Sequence, residues 1–174
     1  ALEGGLVTNA VNIPAIGAED LEALGPYVPL AAKLGRLALE LAGGRADEIV
    51  ITTYGGIAEY DTRLLTVAAL NGAFQGRADR PVNYVNAPLI ARERGIEVRE
   101  ERSQTARDYR NLLSVEVRVD GERVRVGGTT MGRENRQWLV HALGFDLDLE
   151  LAPLLVLFRY DDVPGVIGRV GSLF

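Results

Sequence analysis

The sequence predicts an α+β fold in which helices pack on a mixed, largely antiparallel sheet. Apolar residues recur at helical spacing in the first half of the chain, and the second half turns to β-prone segments. Asp120-Gly121 lies between two such segments and is a strong short-range signal for a β-hairpin. Strands with a few interspersed helices are typical of helices layered on one sheet.

Composition bounds the possible functions. The 174 residues are 47% apolar and 25% charged, which suits one globular domain and part of a second. The chain has no cysteine and one histidine, which excludes disulfides, a Cys nucleophile and thiolate or His-rich metal sites. A net charge of −5 argues against general affinity for nucleic acid or anionic membranes. Without a long apolar run or a signal sequence, we expect a cytoplasmic protein.

The first quarter of the chain predicts one strand and one helix. Residues 1–5 resemble a linker, and the β-prone run at 7–14 ends at a proline. A helix is expected from near Pro26 to Gly43-Gly44. Its apolar stripe consists of Leu30, Ala31, Leu34, Leu37, Ala38 and Leu41.

The next segment predicts a strand and two further helices. Residues 47–54 are rich in β-branched side chains and indicate a strand. Asp61 is expected to cap a helix that ends near Gly72 or Gly76. A shorter helix is expected to open at Asn86.

The β-rich part predicts a hairpin and an amphipathic strand. Residues 111–119 and 122–130 flank the Asp120-Gly121 turn, and a two-residue turn places Val117 opposite Val124 and Val115 opposite Val126. Residues 145–151 alternate strictly, with acidic side chains outward and Phe145 and three leucines inward.

The end of the chain predicts the start of a second domain. Residues 154–158 form an apolar run that indicates a buried strand, and Asp162 suits the cap of a helix starting at Pro164. Ala152-Pro153 is the expected domain boundary. Because one strand and one helix cannot bury their apolar faces alone, we expect the natural chain to continue beyond Phe174.

No catalytic constellation or metal site is predicted. The Gly127–Gly132 run most resembles a phosphate cradle, but a glycine pair in a strand usually marks a bulge. His141 has no partner at a useful spacing. Asp146 and Asp148 alternate with apolar residues, and a strand with one solvent-exposed face explains both.

Two places have residue types suited to binding. Arg133 and Arg136 follow the glycine run and can hold a phosphate or carboxylate with forked hydrogen bonds, although the pattern alone somewhat favours an ordinary surface role. At the terminal turn, Asp162 suits a helix cap or a ligand ammonium, and Tyr160 suits a packed aromatic.

Several segments resemble known families. The terminal Asp-Val-Pro-Gly-Val-Ile-Gly-Arg-Val-Gly run at 162–171 resembles the opening of an ACT domain, a β-α-β-β-α-β module. The segments at 9–14, 84–96, 110–112 and 128–132 resemble the intervening domain of the long form of D-3-phosphoglycerate dehydrogenase, in the family's order.

This resemblance implies a domain organisation and a role. Residues 1–151 would be the intervening, allosteric substrate-binding domain, and 152–174 the first strand and helix of a ferredoxin-like ACT module. The parent chain would be an NAD-dependent oxidoreductase of L-serine biosynthesis, whereas this chain lacks the catalytic and NAD-binding domains and itself holds no cofactor. It would support a homotetramer and respond to L-serine or a phosphorylated hydroxy acid.

The resemblance also implies site residues. Arg136, beside Arg133, falls on a basic family position attributed to an anion site, whereas a second basic position falls on Asp148 here. That difference implies a weaker or differently built anion site. The resemblance also implies one half of a serine-binding site at the terminal turn, formed by Tyr160, Asp162, Val163, Pro164 and Gly165.

The sequence leaves two alternatives open. One is the related regulatory segment of an iron–sulfur L-serine dehydratase, and the other is a stand-alone amino-acid-sensing module. The Asn9–Pro14 segment favours the dehydrogenase, and the sequence preceding Ala1 would separate all three.

Overall fold

A six-stranded sheet is the centre of the fold. The computed structural model describes residues 17–106, 108–157 and 163–172. The strand order is β2-β1-β3-β4-β5-β6, with β1 parallel to β2 and every other neighbouring pair antiparallel. The predicted fold class is therefore confirmed. The strands are β1 (Glu48–Gly55), β2 (Glu97–Ser103), β3 (Asn111–Val119), β4 (Glu122–Met131), β5 (Arg136–Ala142) and β6 (Phe145–Glu150).

The helices include one that the sequence patterns did not predict, α1. In the part of the chain that the structure describes, no helix is long and apolar enough to span a bilayer. The β-prone run at 7–14 lies outside the described residues. The helices are α1 (Ala18–Leu24), α2 (Val28–Leu41), α3 (Arg63–Phe74), α4 (Ala87–Glu93) and α5 (Val166–Gly171).

The core lies between one face of the sheet and helices α2 and α3. In α2, Leu30 and Leu34 are fully buried, as the stripe predicts, while Leu37 and Leu41 are only partly buried. The helix passes directly over Gly128 of β4, where an added Cβ would lie 3.0 Å from Leu30 Cδ1. The predicted α2 stripe therefore faces the sheet at its first two leucines.

The predicted hairpin is confirmed with its register. Asp120 and Gly121 have φ angles of 51° and 83°, as a tight two-residue turn between right-twisted strands requires. Val115 pairs with Val126 and Val117 with Val124. This register turns the four valines toward the helices and the alternate residues of β3 and β4 toward the opposite side, which we call the outer face.

The glycine pair in β4 marks a bulge, as expected. The β4–β5 register shifts between Gly127 and Gly128, and on β5 it skips Val140. The partner strand β5 was not predicted. Its sequence lacks alternation because the extra residue at the bulge leaves both Leu139 and Val140 buried.

Two expectations for the last third are wrong. Phe145 pairs with Ala142 at the tip of the β5–β6 hairpin and is 63% exposed, because no element covers that corner, although Leu147, Leu149 and Leu151 do pack against the core. Residues 154–157 form no strand, since no described segment pairs with them. Phe158 lies outside the described residues.

Helix α3 begins close to the predicted position, and the carboxylate of Asp61 binds its first residue. Thr62 is its N-cap residue, and Asp61 Oδ1 accepts hydrogen bonds from the backbone N–H of Arg63 at 3.2 Å and from Arg63 Nε at 2.8 Å. The hydrogen bonds from the Arg63 side chain hold the pKa of Asp61 below its usual range.

Asp61→Asn is therefore expected to lower the free energy of unfolding at neutral pH by less than about 1 kcal/mol, because the pair is partly exposed. A depressed folded-state pKa gives stability that is present above about pH 4 and lost as the pH falls further. Urea unfolding at about pH 7 and about pH 2 should show a difference only at the higher pH. Asp79→Asn, on an exposed aspartate, is the control; an equal loss there would contradict the pair's role.

Candidate functional site

The two predicted anion-binding arginines lie at the turn between β4 and β5. Gly132 and Asn135 have φ angles of 75° and 50°, values that suit these residue types. Arg133 lies in the turn and is exposed, and Arg136 is the first residue of β5. The local geometry places two cationic side chains at one exposed corner of the sheet.

Arg136 already has an anionic partner. Its Nη1 lies 3.1 Å from Glu150 Oε2 of the edge strand β6, and the two side chains are 55% and 45% exposed. An exposed ion pair of this kind contributes little to stability, and solvent competes for both groups. A bound anion must therefore compete with Glu150 for Arg136. Within the described residues, Arg133 makes no ion pair, so it is available to the same anion.

The terminal turn is only partly described. Tyr160 and Asp162, two of the residues implied for a serine half site, lie outside the described residues. Val163 is exposed, and Gly165 adopts a φ of 85° as the N-cap residue of α5. The helix begins at Val166 and not at Pro164, because Gly165 takes the left-handed conformation that precedes the first helical residue.

A second polar cluster, which the sequence patterns did not single out, lies on the outer face. Arg125 Nε donates a hydrogen bond of 2.9 Å to Ser114 Oγ, and its Nη2 donates one of 2.9 Å to the Tyr54 hydroxyl. Its guanidinium carbon also lies 6.0 Å from the centroid of the Tyr54 ring. The period-two pattern places Arg125 on this face, but its partners come from β1 and β3.

His141 belongs to the same face and has a partner, contrary to expectation. Its Nδ1 lies 3.1 Å from Asp146 Oδ1 across the β5–β6 hairpin. Burial raises the pKa of the neighbouring Tyr109 hydroxyl, and the charges of Asp148, Asp108 and Asp146 raise it further. This end of the outer face is therefore acidic, while Arg125 supplies positive charge beside it.

No metal centre is present in the part of the chain that the structure describes. Within residues 17–106, 108–157 and 163–172, no three His, Asp or Glu side chains are grouped closely enough to hold a metal ion. The glycine pair lies at the bulge between β4 and β5, and Gly128 lies against Leu30 and Leu34 of α2, so the pair serves strand and helix packing, not a phosphate cradle. The polar groups that the described residues offer to a ligand are arginine, hydroxyl and carboxylate groups.

Comparison with known proteins gives one family match. The family model described as the D-3-phosphoglycerate dehydrogenase intervening domain matches residues 23–141. The match covers α2, α3 and α4, strands β1 to β4 and all of β5 except Ala142, and it therefore includes Arg125, Arg133 and Arg136.

Individual relatives agree with the family match and are named D-3-phosphoglycerate dehydrogenase. The protein of Archaeoglobus fulgidus is 34% identical over 97% of this chain and 32% of its own length. That of Synechocystis is 38% identical over 95% of this chain and 30% of its own length. That of Bacillus subtilis is 34% identical over 96% of this chain and 32% of its own length. The chain therefore spans about a third of the length of the curated relatives it matches.

Proposed function

Because this chain belongs to the D-3-phosphoglycerate dehydrogenase intervening-domain family, we propose that it is the regulatory and oligomerisation segment of such a dehydrogenase in L-serine biosynthesis. The family match over residues 23–141 carries the proposal. Residues 1–151 act as the intervening domain and 152–174 as the start of an ACT domain. The remaining two thirds of a longer, cytoplasmic chain supply the catalytic residues and bind NAD.

The regulatory part of the proposal is a coupling of ligand binding to subunit arrangement. A phosphorylated hydroxy acid binds at Arg133 and Arg136, and L-serine binds at the terminal turn. Either ligand shifts the population of oligomeric states only through a difference in its affinity for them. The exposed cationic corner at the β4–β5 turn supports the anion site, and the ion pair with Glu150 supports a site of modest affinity.

The assembly part of the proposal is supported by exposed apolar side chains near the end of the chain. Leu154 is 83% and Val156 51% exposed, and Val163 and Ile167 are exposed as well. Large apolar side chains that are exposed to this degree can belong to a contact with another segment or subunit. In the proposed homotetramer these side chains lie against the rest of the ACT domain or a second subunit.

The family match also favours one of the alternatives. An L-serine dehydratase segment and a stand-alone amino-acid-sensing module both remain compatible with an α+β fold, but no contact in the described residues favours either. The matched relatives are dehydrogenases by name. The dehydrogenase is therefore the function that we propose.

Arg136→Ala is expected to weaken the binding of inorganic phosphate by about tenfold, the effect of losing one charge-assisted hydrogen bond. Glu150→Gln should strengthen binding several-fold, because the carboxylate that competes for Arg136 is removed. Isothermal titration calorimetry measures both affinities. Sedimentation velocity should show a phosphate-dependent change in the wild-type chain that Arg136→Ala lacks.

Arg45→Ala is the matched control for this experiment. Arg45 Nη2 pairs with Asp120 Oδ2 at 3.1 Å, the same separation as in the Arg136–Glu150 pair, but at a different surface. The affinity of the Arg45→Ala variant for phosphate should equal that of the wild type. Equal affinities for the wild type and Arg136→Ala would contradict the anion site.

A further inference from the structure

We propose that the outer face of the sheet holds a second binding site, at which Arg125 binds the carboxylate of a small monocarboxylic acid. The site is a cavity of about 630 Å³ above β1, β3, β4 and β5, bounded on one side by the segment that follows β2. Its polar lining includes Tyr54, Ser103, Thr105, Ser114, Arg125 and His141. A cavity of this volume is in the range that small-molecule sites occupy.

The guanidinium of Arg125 is held in place before any ligand binds. The hydrogen bonds to Ser114 Oγ and to the Tyr54 hydroxyl use Nε and Nη2, which leaves Nη1 for a ligand. Ser114 is itself fixed, because its hydroxyl donates a hydrogen bond of 3.2 Å to the Val126 carbonyl. A side chain ordered in this way loses less conformational entropy on binding than a free arginine would.

Both fixed partners of Arg125 are neutral, so its positive charge is not compensated. Within the described residues no carboxylate forms an ion pair with it. Glu116 lies directly opposite on β3, but its carboxylate accepts a hydrogen bond of 2.7 Å from Arg118 Nε. Arg118 also pairs with Glu48 at 2.6 Å, so these charges form a network of their own. An anion that binds Arg125 therefore displaces no ion-paired carboxylate from it, unlike at Arg136, although Asp108 and Asp146 line the same cavity.

The rest of the cavity suits a small polar molecule. Gly127 forms part of its lining, and an added Cβ there would lie 3.3 Å from His141 Cβ, so the glycine keeps this space open. The hydroxyl of Thr105 and that of Ser103, which lies 3.4 Å from the Thr105 carbonyl, border the same space. These groups can bond a hydroxyl substituent on the acid, as in a 2-hydroxy acid.

The charges around the cavity favour a monoanion over a dianion. Asp108 and Asp146 also line it, and both carboxylates are exposed. Their negative charge repels the second charge of a phosphate group, whereas one carboxylate is balanced by Arg125. L-lactate is therefore a suitable probe, and inorganic phosphate distinguishes this site from that at Arg136.

The test is a titration of the isotopically labelled chain with L-lactate, followed by ¹H–¹⁵N NMR. We expect saturable shifts at the Arg125 side chain and at the backbone of Ser103, Thr105 and His141. Arg125→Gln should weaken lactate binding by about tenfold, as expected for the loss of one charge-assisted hydrogen bond. Arg123→Gln is the matched control, since Arg123 lies two residues earlier on the same strand and face, and it should bind lactate like the wild type.

A second variant separates binding from folding. Tyr54→Phe keeps the ring and removes only the hydroxyl that fixes Nη2, so it should weaken lactate binding by roughly threefold with an unchanged fold. Unaltered binding in Arg125→Gln, shifts confined to the β4–β5 turn, or tighter binding of phosphate than of lactate at Arg125 would each overturn the proposal. None of these outcomes depends on whether phosphate binds at Arg136.

Discussion

Replacing Gly35 or Gly72 with alanine is expected to destabilise the chain by about 3 kcal/mol, the upper part of the usual range for overpacking. Helices α2 and α3 cross at these two glycines. An added methyl group at Gly35 would lie 2.0 Å from the Ala69 carbonyl oxygen, and one at Gly72 would lie 1.9 Å from the Ala32 carbonyl oxygen. Because both contacts are with backbone atoms, the helices must separate to admit the methyl group.

Urea unfolding of each variant measures this effect, with Gly25→Ala as the control. Gly25 has a helical φ of −46° and no atom within 4 Å of the position where a Cβ would be added. Alanine there should leave stability unchanged or raise it by up to about 1 kcal/mol. If Gly35→Ala unfolded within about 0.5 kcal/mol of the wild type, the close helix contact would be refuted.

This helix contact could not be predicted from the sequence. A glycine near the end of an apolar helical pattern usually predicts the end of the helix, as it does at Gly72. In the structure α3 continues past Gly72 to Phe74. Gly72 does not end the helix; its lack of a side chain allows α2 to approach closely. Local patterns thus identified both helices but not how closely they pack.

The sheet shows which signals are local and which are not. The β3–β4 hairpin was predicted with its register because Asp120-Gly121 determines the turn by itself. Strand β5 was missed because the bulge at Val140 breaks the alternation on which strand prediction depends. Residues 154–157 have the composition of a buried strand but no described partner, and a strand forms only where its backbone groups are paired.

The candidate sites also divide into one that local sequence signals predict and one that depends on how distant strands pair. The sequence predicts Arg133 and Arg136 because they are close together after a glycine run. Arg125 cannot be predicted as a site residue in this way, because its partner Tyr54 is 71 residues away in sequence. The two side chains meet only because β1 pairs with β3 and β3 pairs with β4. Sequence periodicity predicts the face on which Arg125 lies, but only the strand order brings the hydroxyl groups to it.

Phe74→Ala is expected to lower the free energy of unfolding by about 4 kcal/mol, as usual for deleting a buried aromatic ring. Phe74 is fully buried at the end of α3, and the Arg94 guanidinium carbon lies 5.3 Å from the centroid of its ring. The variant loses both the buried apolar area and this cation–π contact, and it leaves a cavity that the surrounding helices cannot fill without moving.

Phe145→Ala tests the same chemical change at the exposed tip of the β5–β6 hairpin. Alternation along β6 would place Phe145 in the core and predict a similar loss, whereas its 63% exposure predicts a change within about 0.5 kcal/mol. Thermal or urea unfolding of the two variants together separates these cases. A loss at Phe145 comparable to that at Phe74 would mean that this side chain is covered in solution, and self-association measured by sedimentation would then identify a second copy of the chain as the covering surface.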